Sequence, residues 1–150
     1  VYLFLLQEFD KGSVEFNTIP DATAEYLFDN PPHKPSFIGG VSPHAGSTVL
    51  LSDSDEICIS VLGEGFRENL SVEELAFRLS VATYFGVNGH QIPNEDVGPA
   101  YISTLLGRPS TSFTVCAVPN YVQSGLQVIE AQIFITPESI YQYTWVIRLE

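Results

Sequence analysis

EICISVL, residues 56–62, is the stretch that decides the fold. Ile57, Ile59 and Val61 alternate with Cys58, Ser60 and Leu62. Alternation at period two with β-branched residues describes a strand with one buried face. The stretch runs into Gly63-Glu64-Gly65-Phe66, which reads as a turn.

The same grammar extends outward. Ser112–Val118 is a second such run, stopped by Pro119, which has no N–H for a sheet ladder. Leu126–Ile135 sets Ile129, Ala131, Ile133 and Ile135 on one side. Thr136-Pro137-Glu138-Ser139 turns the chain into Ile140–Leu149, with Tyr141, Tyr143, Trp145, Ile147 and Leu149 on one side. A short strand is expected at Ala100–Leu105, and Asn88–Pro99 reads as a polar loop. The run Leu75–Phe85 carries two signals. Ser71-x-x-Glu74 has the form of a helix capping box, while a longer period-two run ends in Val-Ala-Thr-Tyr-Phe. The longer run predicts a strand. Short strands at roughly ten-residue spacing, with no long helix, predict an all-β, Ig-like β-sandwich of about seven to nine strands.

Composition narrows the function classes. The 150 residues are 45% hydrophobic and 16% charged, enough for a core and too apolar for disorder. Net charge is −12, the wrong sign for tracking phosphates or anionic lipid, so neither nucleic acid nor membrane insertion is expected. The charge reads as solubility and self-repulsion, with calcium between acidic loops as the sharper alternative. The chain starts at Val1 with an apolar stretch too short to span a bilayer and lacking a basic flank. A mature processed chain, or a segment of a longer one, is expected.

Residues 1–34 have their own logic. Phe16–Phe28, FNTIPDATAEYLF, resembles Phe134–Val146, FITPESIYQYTWV, as a faint repeat of strand-turn-strand pieces. On that reading residues 1–34 close a preceding unit and 35–150 form a complete one. Alternatively, Val1, Leu3 and Leu5 belong to a strand that pairs with the open edge of an identical subunit.

Three further stretches carry a family resemblance. They are Pro35-Ser-Phe-Ile-Gly-Gly-Val-Ser-Pro43-His-Ala-Gly46, then Ile57–Phe66, then Thr114-Val-Cys116-Ala-Val-Pro119 with Gly125 and the strand after it. In that order they resemble the IPT/TIG family of Ig-like domains, over residues 35–150. The resemblance implies a module of tandem arrays, acting as scaffold or binding surface. The acidic, serine-rich Ser47–Asp55 and the long Val87–Gly107 segment depart from the family pattern.

Cys58 and Cys116 leave two readings open. A bond between opposite sheets is common in Ig sandwiches, yet the Ile57/Ile59/Val61 set turns Cys58 outward. Asn69-Leu70-Ser71 is an N-glycosylation sequon in an expected loop. Tyr101 and Tyr121 are candidate binding aromatics. His33, His44 and His90 sit in separate loops and read as solvated. No catalytic motif is present, and Glu73/Glu74 and Glu95/Asp96 are adjacent residues that a strand would point apart. The expectation is a non-enzymatic, secreted or cell-surface structural or adhesive module, with no cofactor and no metal. A carbohydrate- or protein-binding module and a viral or appendage shell subunit are the alternatives. The expected partners are neighbouring Ig-like domains or identical subunits, then glycans or cell-surface proteins.

Overall fold

The computed structural model describes residues 11–31, 40–53, 55–62, 71–105, 108–120, 123–136 and 139–150. It is a β-sandwich of two sheets. The element order is α1 (Asp21–Asp29), β1 (Gly40–Ser42), β2 (Thr48–Val49), β3 (Ile57–Leu62), α2 (Val72–Ala82), β4 (Thr83–Val87), β5 (His90–Gln91), β6 (Tyr101–Leu105), β7 (Arg108–Ala117), β8 (Gly125–Thr136) and β9 (Ser139–Leu149).

The first sheet has the order β1-β3-β7-β6, and the second β2-β9-β8-β4-β5. All pairings are antiparallel except β2 with β9. The predicted alternation sets the inner faces. Ile57, Ile59, Phe113, Val115 and Ala117 of the first sheet meet Phe85, Ile129, Ala131, Ile133, Trp145 and Ile147 of the second. Each fully buried aliphatic or aromatic side chain contributes about 1.5–3 kcal/mol, and this interface is the main source of stability.

Leu75–Phe85 is not one strand. Residues 72–82 are α2, and only Thr83–Val87 continues as strand β4. The capping signal wins locally, because the Ser71 hydroxyl accepts from the Glu74 N–H at 3.1 Å. Glu73 and Glu74 then lie in the first turn, where the helix dipole favours acid. Leu75 and Leu79, four apart, are both buried in the core with Ala76 and Ser80 beside them. The apparent period of two comes from reading across a helix–strand junction.

The described part of the N-terminal segment is not strand. Residues 11–20 carry no regular secondary structure, and residues 21–29 are helix α1 where strand-turn-strand was expected. Both pieces lie on the outer face of the second sheet. Phe16 is 8% exposed and covers Gly86, where an added Cβ would come within 2.6 Å of its ring. The Val14 N–H donates to Gln91 Oε1 at 2.9 Å, and Gln132 Nε2 donates to the Glu15 carbonyl at 3.2 Å. Ala24 of α1 packs on Val128 and Val146, with Ile19, Leu27 and Phe28 around them. The Arg148 guanidinium lies 4.9 Å from the Phe28 ring centroid. Residues 11–29 thus form a strap across the sheet. Val1, Leu3 and Leu5, and the strand pairing expected of them, lie outside the described residues.

Candidate functional site

Two places combine shape with chemistry. One is a cleft of about 350 Å³ at the β4–β5 end of the sandwich. Asn88–Pro99, expected as a polar loop, carries regular structure. A tight hairpin at Asn88-Gly89, with φ of 54° and 85°, joins β4 to β5. Two successive left-handed residues suit Asn-Gly, and that dipeptide after Val87 was the available signal. Asn94–Asp96 follows as a single 3-10 turn.

An amide network builds the cleft. Asn88 Nδ2 donates to Gln127 Oε1 at 2.7 Å, and Asn88 Oδ1 accepts from the Val128 N–H at 2.8 Å. Gln91 Nε2 donates to Asn94 Oδ1, and Asn94 Nδ2 donates to the Gly12 carbonyl at 2.7 Å. These amides serve the fold, since buried or half-buried polar groups must find partners. The other polar lining groups are His90, Asp96, Asn120 and Gln123, over an apolar floor of Val87, Ile92, Pro93 and Pro119. Asp96 is the one carboxylate in that lining.

The second place is the outer face of the first sheet. Cys58 and Cys116 form a disulfide, and they are directly opposed residues of adjacent strands β3 and β7. Of the two open readings the bonded one holds, but the bond lies within one sheet and not between two. Alternation explains it: Ile57, Ile59, Val115 and Ala117 point into the core, so both sulfurs point out. Glu56 lies on the same face, two residues before Cys58. The Glu56 carboxylate and the two sulfurs lie within 4.8 Å of one another. Next along this face, the Ser60 and Thr114 hydroxyls share a hydrogen bond at 2.8 Å. Thr114 pairs in register with Tyr101, which is 65% exposed. Tyr121 and Asn69 lie outside the described residues, so the two candidate aromatics are not seen together. Tyr143 and Trp145 are core residues, and Tyr141 is at the margin of exposure.

A disulfide fits an oxidising compartment. Among the described residues, no helix is long and apolar enough to cross a membrane.

No protein-family model matches the chain, and no curated protein matches it. Solved structures similar at low level include the following two. CopC from Methylosinus trichosporium OB3b is 13% identical at a TM-score of 0.43, covering 76% of this chain and 92% of that one. PcoC, a methionine-rich copper resistance protein from Escherichia coli, is 11% identical at a TM-score of 0.37, covering 75% and 96%. This chain contains no methionine. The two matched proteins are named for copper resistance or as CopC, not for filaments or adhesion, and the expected structural or adhesive module is withdrawn on that finding. At this level of likeness they say nothing of what the chain itself binds.

Proposed function

We propose that the chain is an exported, non-catalytic binding domain, working outside the cytoplasm, that takes a small cation in the cleft between the β4–β5 hairpin and the side chains of Asn120 and Gln123. One observation carries this reading. The amide network accounts for Asn88, Gln91, Asn94 and Gln127, while Asp96, His90, Asn120 and Gln123 present a carboxylate, an imidazole and two amides around one concave space. Carboxylate, imidazole and amide oxygen are donors for divalent cations. The net charge of −12 raises the local concentration of cations and disfavours anions. Membership of the IPT/TIG family belongs to the same proposal, supported by the order of the three sequence stretches.

Calorimetric titration of the oxidised chain with Cu²⁺, Zn²⁺ and Ca²⁺ tests the reading. Binding of one equivalent of at least one ion, weakened tenfold or more by Asp96→Asn and by His90→Ala, is the expected result. No saturable binding by any of the three ions, or binding that both variants leave unchanged, sinks it.

A further inference from the structure

We infer that Cys58, Cys116 and Glu56 form a second site, separate from the cleft, that binds a thiophilic divalent cation such as Zn²⁺ when the disulfide is reduced. Cys58 faces Cys116 in a register held on both sides by Ile57↔Ala117 and Ile59↔Val115. Those four flanking residues are 0–1% exposed. Their burial, and the backbone hydrogen bonds of β3 and β7, keep the two cysteine positions opposed whether or not the sulfurs are bonded. Reduction therefore leaves two thiols side by side on the outer face.

The chemistry follows from the donors. Cleaving the S–S bond takes two electrons and two protons, supplied by a dithiol that becomes a disulfide itself, or by a phosphine that becomes its oxide with oxygen from water. The two thiols then lose their protons to solvent as they bind the metal. In the oxidised chain the three donor atoms lie within 4.8 Å of one another, so sulfurs released from the bond on the same two opposed positions stay within reach of one ion with bonds of about 2.3 Å to sulfur and 2.0–2.2 Å to a carboxylate. Two thiolates with one carboxylate are a zinc-type donor set, and water completes the tetrahedron. Both cysteines are half-buried and Glu56 is exposed, so an ion reaches the site from solvent. Among the described residues this is the one group of three or more His, Cys, Asp or Glu donors so placed.

The oxidised and reduced forms then differ in metal affinity, and linkage makes the effect reciprocal. Free metal at 100 times its Kd favours the reduced form by a factor of about 100.

The test uses the whole chain, reduced anaerobically with a phosphine and freed of excess reductant, with far-UV circular dichroism to confirm the fold. Co²⁺ is the probe. The expected result is one equivalent bound with a sulfur-to-cobalt charge-transfer band, displaced by Zn²⁺. The oxidised chain shows no such band. Cys58→Ser abolishes the two-thiolate spectrum, and Glu56→Gln weakens binding about tenfold. Asp96→Asn leaves the band intact, which separates this site from the cleft. Should reduction unfold the chain, Zn²⁺ is expected to restore its circular dichroism. A reduced, folded chain with no charge-transfer band overturns the inference, as does a reduced, unfolded chain that Zn²⁺ fails to refold. Unchanged affinity in Glu56→Gln removes the carboxylate from the site and overturns the three-donor assignment.

Discussion

Glu130 is a charged residue type in a place that does not suit charge. It lies in β8, pairs in register with Gly86 and Thr144, and is 4% exposed. One carboxylate oxygen, Oε1, is buried without a hydrogen-bond partner. Burial raises its pKa above 4.5, and the hydrogen bond with Gln142 opposes only part of that. The sign of the pH effect is fixed by this direction. At low pH the folded and unfolded chains both hold the proton. Above about pH 4.5 the unfolded chain ionises first, so stability falls until the folded carboxyl ionises too. Urea unfolding from pH 4 to pH 8 is expected to show this decline. Glu130→Gln flattens it and adds on the order of 1 kcal/mol at pH 7. Lys11 acts in the opposite window. Burial lowers its pKa from 10.5 to about 8, with the ammonium 4.8 Å from the Tyr84 ring centroid. Between those values the unfolded chain binds more protons, so stability rises with pH. Lys11→Met removes that rise, as alkaline urea titrations of both proteins would show.

Elements differ in how openly the sequence declares them. Strands β3, β8 and β9 were legible because Ile, Val and aromatic residues repeat at period two, and those residues are the core. Helix α2 was not, because Leu75, Phe77, Leu79 and Val81 alternate with Ala76, Arg78, Ser80 and Ala82 and mimic a strand running up to Phe85. Ser71 was the deciding letter. Ser71→Ala is expected to cost about 1 kcal/mol in equilibrium unfolding. The strap was illegible for another reason: its partners are distant, as with Val14 and Gln91, 77 residues apart, or Glu15 and Gln132, 117 apart. No local pattern reports such pairs. Gly86 is the weak point of this docking, since Ala there collides with the Phe16 ring. Gly86→Ala is expected to speed hydrogen exchange at Val14 and along α1 while leaving β3 and β7 protected. Uniform loss of protection across the chain would show that the strap and the sandwich unfold as one unit.

At the scale of the whole molecule, the two sheets are dressed differently. The second carries the strap and α1 on its outer face, and the first presents the disulfide, Glu56 and Tyr101. Of the candidate sites, only the identity of the two cysteines was readable in advance. Their adjacency depends on β3–β7 register, and the cleft depends on a hairpin turn and on chain segments far apart in sequence. The bond spans 58 residues and closes the loop containing α2, β4, β5 and β6. Replacing both cysteines with Ala is expected to lower the unfolding free energy by about 2–4 kcal/mol, mainly through the greater freedom of the unfolded chain. Chemical denaturation of the double variant beside the oxidised parent measures it.

The strap also bears on the order of events during synthesis. A ribosome releases residues 11–29 before any part of the sheet they cover. Phe16 finds its seat only once β4 is made, and Ile19, Leu27 and Phe28 only once β8 and β9 have paired, about a hundred residues later. Contacts of such long sequence separation form late, and apolar segments that await them are exposed meanwhile. Residues 11–29 therefore leave the ribosome before the strands they cover and dock after them. They are the stretch on which a holding chaperone would act, and their docking marks the completion of the fold.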